Sequence, residues 1–252
     1  MKPPSVLTVR FDNYSVEFDP RAGGFPSRMA LTGREGETVV ALTHKPWLEV
    51  DLSGGVTVAP FWPEGLTPVV THKESATRVD FPSLPFRDAS GRVAQDFELS
   101  VRYELWPEGT GFARAFFFVA RTEPPELRGF RLSPPVSLPD DAEAAWTYWE
   151  RPSNTNADLI QALGGIKRFQ KPGQEVRTDG SLLPFVSFDF GAGELLDKHL
   201  EYFLEGANSL TADWKNTSTT VTWDDGQPRL EWNFLREPRR QHRRGWQWRN
   251  QF

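Results

Sequence analysis

Short alternating segments run through this chain, and turn residues separate them. In YSVEFDP, Tyr14, Val16 and Phe18 alternate with Ser15, Glu17 and Asp19, the period of a half-buried strand. SVLTVRF precedes it. Pro20 and the Gly23-Gly24 pair follow, then FPSRMALTG, a turn at Gly33 and Gly36, and ETVVALT. Strands spaced this closely, with turn signals between them, predict a sandwich or a barrel.

Two hairpins are clearest. FELSVRYELWPEGTGFARAFFFVAR places Leu99, Val101, Tyr103 and Leu105 on one face and Ser100, Arg102 and Glu104 on the other. Pro107-Glu108-Gly109 fits the turn, because proline fixes φ and glycine tolerates φ > 0. The run Phe116-Phe117-Phe118 predicts burial on both faces of the return strand. In STTVTWDDGQPRLEWNFLRE, Asp224-Asp225-Gly226 is the hairpin signal, and Leu230, Trp232 and Phe234 share a face.

Helix signals are few. ELLDKHLEYFLE, residues 194–205, has helical spacing with Gly206 as a stop, although LEYFLE also alternates as a strand would. ADLIQALGG, residues 157–165, fits a short helix ending at glycine. Residues 138–182 hold many turn residues and the weakest pattern, which predicts a long, function-bearing loop. No composition break divides the chain. The expected architecture is all-β: an antiparallel two-layer β-sandwich over residues 1–252, alone or within a longer protein, with at most one or two short helices.

Composition supports this and narrows the chemistry. Aromatics are 13% of the 252 residues, with 21 Pro and 20 Gly spread along the length. The net charge is −5, yet residues 236–252, REPRRQHRRGWQWRNQF, carry six Arg and one Glu, leaving about −10 on the rest. An acidic body argues against nucleic-acid binding, which needs a basic face to displace counterions. There are no cysteines, and the four histidines lie far apart, so no metal and no cofactor is expected. The N-terminus has no apolar run long enough for a signal peptide or a membrane span. The expectation is a soluble, cytoplasmic protein, or a secreted or periplasmic one if a signal has been removed.

No phosphate loop, nucleophile elbow, dinucleotide glycine motif or H-E-x-x-H is present. The run WTYWERPSN is more informative. Trp146, Tyr148 and Trp149 offer flat apolar faces, and Glu150, Arg151 and Asn154 offer charge and hydrogen bonds. Sugars need that mix, because their C–H faces stack on rings while their hydroxyls demand paired donors and acceptors. Phe61-Trp62-Pro63-Glu64 and Asp213-Trp214-Lys215-Asn216 repeat the theme. Candidate sugar-binding residues are therefore Trp146, Tyr148, Trp149, Arg151, Trp62, Trp214, Trp246, Trp248 and Arg249. Acid–base work would draw on Glu150, Glu64, Asp213 and His72. In GWQWRNQF, alternation predicts a terminal strand. The arginines around it either pair with surface carboxylates or read an acidic sugar beside a stacked Trp.

FDNYSVEFDPRAGGFPSRMALTGREGETVV resembles the opening of galactose-mutarotase-like β-supersandwich domains. DFELSVRYELWPEGTGFARAFFFVA is similar to their central hairpin, and LEYFLEGANSLTADW to their late strands. The resemblance implies a carbohydrate-handling context, as in aldose epimerases and the sandwich modules of glycoside hydrolases, phosphorylases and polysaccharide lyases. True aldose epimerases use a His pair and a Glu. Here His44 precedes Lys45 and His72 precedes Lys73, so no catalytic residue carries over. Three functions follow as expectations. The first is a carbohydrate-recognising module. The second is a stand-alone epimerase, glycosidase or lyase. The third is an assembly module that meets a further domain or another copy through the C-terminal Arg/Trp strip.

Overall fold

The computed structural model describes residues 5–33, 36–108, 112–120 and 127–137, and beyond them the strands named below; side chains are described over 5–33, 36–94, 98–108 and 131–137 and at a few positions of the later strands. The alternation near the N-terminus becomes a four-stranded antiparallel sheet, β1 (Leu7–Arg10), β2 (Tyr14–Phe18), β3 (Pro26–Gly33) and β4 (Gly36–Leu42), in that order. Every other strand joins a second, 15-stranded sheet. Its members are β5 (Leu48–Leu52), β6 (Val56–Pro60), β7 (Val69–His72), β8 (Thr77–Asp88), β9 (Val93–Leu105), β10 (Phe112–Ala120), β11 (Leu127–Leu132) and β12 (Ala145–Trp149). They continue with β13 (Ile166–Phe169), β14 (Val176–Asp179), β15 (Phe185–Phe190), β16 (Lys198–Glu205), β17 (Ser218–Asp224), β18 (Gln227–Phe234) and β19 (Gln247–Gln251). The order is β13-β12-β15-β16-β19-β10-β9-β8-β6-β5-β11-β18-β17-β14, with β7 on the free part of β8. Among the described residues the helical element is one 3-10 turn, Pro20–Ala22, and no helix is long and apolar enough to cross a membrane.

Both expected hairpins form. β9 pairs with β10 from Phe112↔Leu105 to Ala120↔Phe97, and β17 pairs with β18 from Asp224↔Gln227 to Ser218↔Asn233. Leu99, Val101, Tyr103 and Leu105 are all fully buried, as the alternation requires. Two expectations are corrected. Residues 198–205 are strand β16, not helix: once paired between β15 and β19, the strand period of LEYFLE wins over its helical spacing. The 138–182 stretch contains strands β12, β13 and β14, short enough to hide among turn residues. The helix expected at 157–165 lies outside the described residues.

The C-terminal alternation also becomes a strand, in an internal position. β19 lies between β10 and β16, with Trp248 opposite Phe116, and Arg249 opposite both Ala115 and Glu205. Both of its edges are paired, so these residues offer no open edge for strand addition by a partner.

The two sheets close on an aromatic core. The Phe18 ring lies 4.9 Å from Tyr103 and 5.7 Å from Phe81, centroid to centroid. Phe25 meets Trp47 at 5.9 Å, and the Trp47 indole N–H donates to the Pro26 carbonyl at 3.0 Å. Each such side chain contributes about 1.5–3 kcal/mol by leaving water. A register shift in β8 between Phe81 and Leu84 lets Phe81, Leu84 and Phe86 all face this core.

The Gly23-Gly24 turn is where the sheets approach most closely. Asp19 caps the 3-10 turn by accepting from the Arg21 amide at 2.8 Å, and the Gly23 amide donates to the Pro20 carbonyl at 3.0 Å. Gly23 and Gly24 have φ of 64° and 83°. A Cβ on Gly23 would stand 2.3 Å from the Pro60 carbonyl oxygen, which is backbone and cannot swing away. The Tyr103 hydroxyl donates to the Gly24 carbonyl at 2.8 Å.

Gly23→Ala should therefore cost at least about 2 kcal/mol in urea unfolding, combining left-handed strain with the backbone clash. Gly54 also has positive φ, at 88°, but nothing lies within 4 Å of where a methyl group would sit, so Gly54→Ala should cost only about 1 kcal/mol. Equal losses would show that the close approach to Pro60 is unimportant.

Candidate functional site

The face of the large sheet turned away from the core is polar and ordered by cross-strand pairs. Arg78 of β8 reaches Glu104 of β9 at 2.7 Å, and Arg102 of β9 reaches Asp80 of β8 at 2.7 Å. Farther along, Arg131 of β11 meets two β5 carboxylates, Glu49 at 3.1 Å and Asp51 at 3.4 Å. The Thr57 hydroxyl donates to Asp51 at 2.6 Å. Gly129, opposite Asp51 in register, makes room for that carboxylate, since a Cβ there would stand 2.9 Å from Asp51 Oδ2.

A cleft of about 270 Å³ opens on this face at the end of β6. Its floor is Ala59, paired with Arg87 of β8. β6 alternates there: Val58 and Pro60 are buried, while Thr57, Ala59 and Phe61 are partly open. Because Ala59 is short, the larger side chains around it become walls. Phe61 and Arg87 form one, with the Arg87 Cζ 4.7 Å from the Phe61 ring centroid, a cation–π stack. Glu49 and Thr57 form another, and Arg21 and Pro46 reach in from the loops beside the glycine turn. Arg21 is 65% exposed, but Asp19 holds it by a 2.6 Å ion pair. The same hydrogen-bonded guanidinium keeps the Asp19 carboxyl below the usual carboxylate range.

A larger cleft of about 640 Å³ adjoins the first toward the turns of the β5–β6 and β8–β9 hairpins, sharing Val58 and Asp88 with it and lined also by Leu52, Val56, Val93 and Arg92. It has no aromatic wall among the described residues. Its carboxylate, Asp88, is occupied by its own loop, accepting from the Ser90 amide at 2.9 Å, the Ser90 hydroxyl at 2.6 Å and the Arg92 amide at 3.0 Å. The smaller cleft therefore has the better chemistry for a polar ring-shaped ligand.

The three-dimensional arrangement of strands matches known proteins where the sequence does not. No family model and no curated protein matches the chain. Among solved structures, it aligns over 98% of its length with 98% of a galactose mutarotase-like protein from Lactobacillus casei, at TM-score 0.53 and 11% identity. It aligns with 94% of another from Clostridium acetobutylicum, at 0.52 and 9%. This chain has the galactose mutarotase-like fold. The Slr1438 protein from Synechocystis shares it, at TM-score 0.53 and 13% identity over 96% of that chain. The chain spans only 40% and 38% of the alpha-galactosidases it matches from Geobacillus stearothermophilus and Lactobacillus brevis, at TM-score 0.47 for both.

Among the described residues, Trp62, Glu64 and His72 do not share one cleft. Trp62 lies in the core. It is only 6% exposed, its indole N–H donates to the Leu66 carbonyl at 2.8 Å, and its ring packs edge-on against Phe81 at 4.9 Å. Glu64 is exposed on the turn after β6, and His72 is exposed at the end of β7 with a ring nitrogen 3.1 Å from the Thr77 hydroxyl; no hydrogen bond or ion pair joins the two. Trp146, Tyr148 and Trp149 lie on β12, next to the β13 end of the sheet, and Trp248 and Arg249 lie on β19. Glu150, Arg151, Asp213, Trp214 and Trp246 lie outside the described residues. Sequence reasoning missed Arg87, Glu49, Thr57 and Ala59, and within Phe61-Trp62-Pro63-Glu64 it chose Trp62 over Phe61. The signal was present in the alternation of TVAPF, which puts Phe61, not Trp62, on the open face.

Two outcomes follow. Trp62→Ala should cost about 3–5 kcal/mol in urea unfolding, whereas Phe61→Ala should cost about 1 kcal/mol; similar costs would mean Phe61 is core as well. A depressed carboxyl adds stability above its unfolded value of about 3.9 and loses it as pH falls through its lower folded value. Unfolding curves should therefore show wild type more stable than Asp19→Asn at pH 6, with the gap closing as pH falls below about 4. A gap that is constant down to pH 2 would dissociate Arg21 from the effect.

Proposed function

We propose that this chain recognises carbohydrate on the polar face of its large sheet, and that the cleft over Ala59 seats one sugar ring against Phe61. The observation that carries the proposal is the cleft's composition. It combines one aromatic face, a floor one methyl deep, and charged or hydroxyl-bearing side chains on opposite walls. A pyranose has an apolar C–H face for Phe61 and rim hydroxyls for Glu49 and Thr57. At about 270 Å³ the space falls near the lower limit of ~300–1,000 Å³ for small-molecule sites, room for one ring rather than a chain of them. The fold it shares with galactose mutarotase-like proteins supports the same reading.

Recognition is favoured over acid–base catalysis in this cleft. The described carboxylates that line it are both occupied: Glu49 is tied to Arg131, and Asp88 accepts from the Ser90 amide and hydroxyl and the Arg92 amide. Among the described residues, no histidine lines the cleft. The stacking aromatics and acids expected on residues 146–151 and 213–214 remain part of the proposal as a second contact region for a longer ligand.

The test is calorimetric titration with a panel of mono- and oligosaccharides. Wild type should bind at least one of them. Ala59→Leu, which fills the floor, and Phe61→Ala, which removes the platform, should each weaken binding by about tenfold or more with the fold intact by circular dichroism. Binding that survives both substitutions would move the site elsewhere. No binding across the panel would refute carbohydrate recognition.

A further inference from the structure

We propose that the ring seated over Ala59 carries an anionic exocyclic group, a carboxylate or a phosphate, and that the in-plane N–H fork of Arg87 binds it. This rests on the carbohydrate reading of the same cleft.

The arginines of this sheet face are not alike. Arg78, Arg102 and Arg131 are each matched to a carboxylate within 3.4 Å, and Arg21 at the rim is matched to Asp19. Arg87 has neither an ion pair nor a hydrogen bond among the described residues; its one contact of this kind is the stack on Phe61. An uncompensated guanidinium in a sheet laced with matched pairs is a charge that the fold itself does not use.

Its setting suits an oxyanion. The contact with Phe61 uses none of the guanidinium's N–H groups in a hydrogen bond, and those groups include parallel pairs that grip a carboxylate or phosphate in two places. The phenyl ring also limits the rotamers Arg87 can visit, so less freedom is lost on binding. The rim adds a second positive group, Arg21.

The cleft is polarised in a way a neutral ring would not need. Arg87 stands on β8 and Glu49 on β5, with β6 between them, two strand spacings or about 9–10 Å apart. The Ala59 floor lies under that span. Glu49 and Thr57 can take hydroxyl protons at one end, while Arg87 takes negative charge at the other, where Asp88 also lines the cleft but is held by the Ser90 and Arg92 donors of its own loop. A neutral sugar would satisfy the Glu49 end and leave Arg87 unmatched. An acidic sugar satisfies both.

The experiment titrates the full chain at low salt with matched pairs: galacturonate against galactose, glucuronate against glucose, and glucose 6-phosphate against glucose, with inorganic phosphate as the bare-anion control. The anionic member should bind about tenfold or more tightly. Arg87→Gln should abolish that gain, so that acidic and neutral members bind alike, while Arg87→Lys keeps the charge but recovers only part of it. Arg10→Gln, a charge removal on β1 away from the cleft, should keep the gain intact. A gain confined to uronates assigns a carboxylate, and one confined to the sugar phosphate assigns a phosphate. Equal affinity for acidic and neutral members would overturn this inference and leave the carbohydrate reading standing. Failure of every sugar to bind would overturn both. Inorganic phosphate binding as tightly as the sugar phosphate, with no uronate gain, would reduce the site to a simple anion contact and overturn it as well.

Discussion

The approach of Gly23 to the Pro60 carbonyl is the constraint on which the rest of this architecture depends. It brings the turn between β2 and β3 onto the end of β6, where any side chain at Gly23 would collide with backbone. From that contact the two sheets are pinned in order. Gly24 receives the Tyr103 hydroxyl, Pro26 receives the Trp47 indole N–H, and Phe18 stacks between Phe81 and Tyr103. The same contact fixes the cleft. Pro60 is followed by Phe61, and the residues just before Gly23 include Asp19 and Arg21, so one close approach sets both the aromatic wall and the basic rim. A substitution that loosens the turn should disturb recognition and stability together, unlike one on the cleft wall.

Away from the core, the large sheet organises its surface by register rather than by loops. Opposite residues on neighbouring strands share a face, so charges assemble into rows across the strands. Exposed pairs of this kind contribute little stability individually, about 0–1 kcal/mol. Their effect here is positional: by matching Arg78, Arg102 and Arg131 to acids they hold those side chains against the sheet and leave gaps where a row contains a short residue. The C-terminal strand belongs to this scheme. β19 inserts between β10 and β16, so that Asp80, Arg102, Ala115, Arg249 and Glu205 follow one another across five strands. A basic strip that reads as an appendage in the sequence is, from Gln247 to Gln251, an interior member of the sheet.

What the sequence disclosed and what it hid divide along physical lines. Alternation in a strand records which face is buried, so the 97–121 and 218–237 hairpins and the faces of Leu99 to Leu105 could be read directly. Strand order could not, because nothing local in GWQWRNQF specifies that its neighbours are β10 and β16. Short strands such as β12, β13 and β14 carry too few periods to stand out from turn residues. Residues 198–205 satisfy both helical and strand spacing, and only tertiary pairing decides between them. The cleft over Ala59 was hard to read for a related reason. A Trp draws attention as a sugar platform, but Trp62 and Phe61 are adjacent and must point to opposite faces, and the larger ring went to the core. Ala59 and Arg87 are 28 residues apart, and only register makes them neighbours.

That last pairing shows how a cleft opens on the face of a sheet. A row of large side chains presents a closed, self-matched surface. One alanine in the row opens a pocket one side chain deep and exposes the flanks of its neighbours. At Ala59 the flanks are Arg87 and, on the next strand, Glu49, with Phe61 one strand step away as the apolar wall. The register repeats the motif near the centre of the sheet, where Ala115 stands between Arg102 and Arg249. There Arg102 is already matched to Asp80, and Glu205 stands opposite Arg249, so that row contains its own counter-charges. At Ala59 the guanidinium beside the gap has none among the described residues. On the proposed reading, a binding row differs from a structural one not in the presence of arginine but in whether the fold has already matched it.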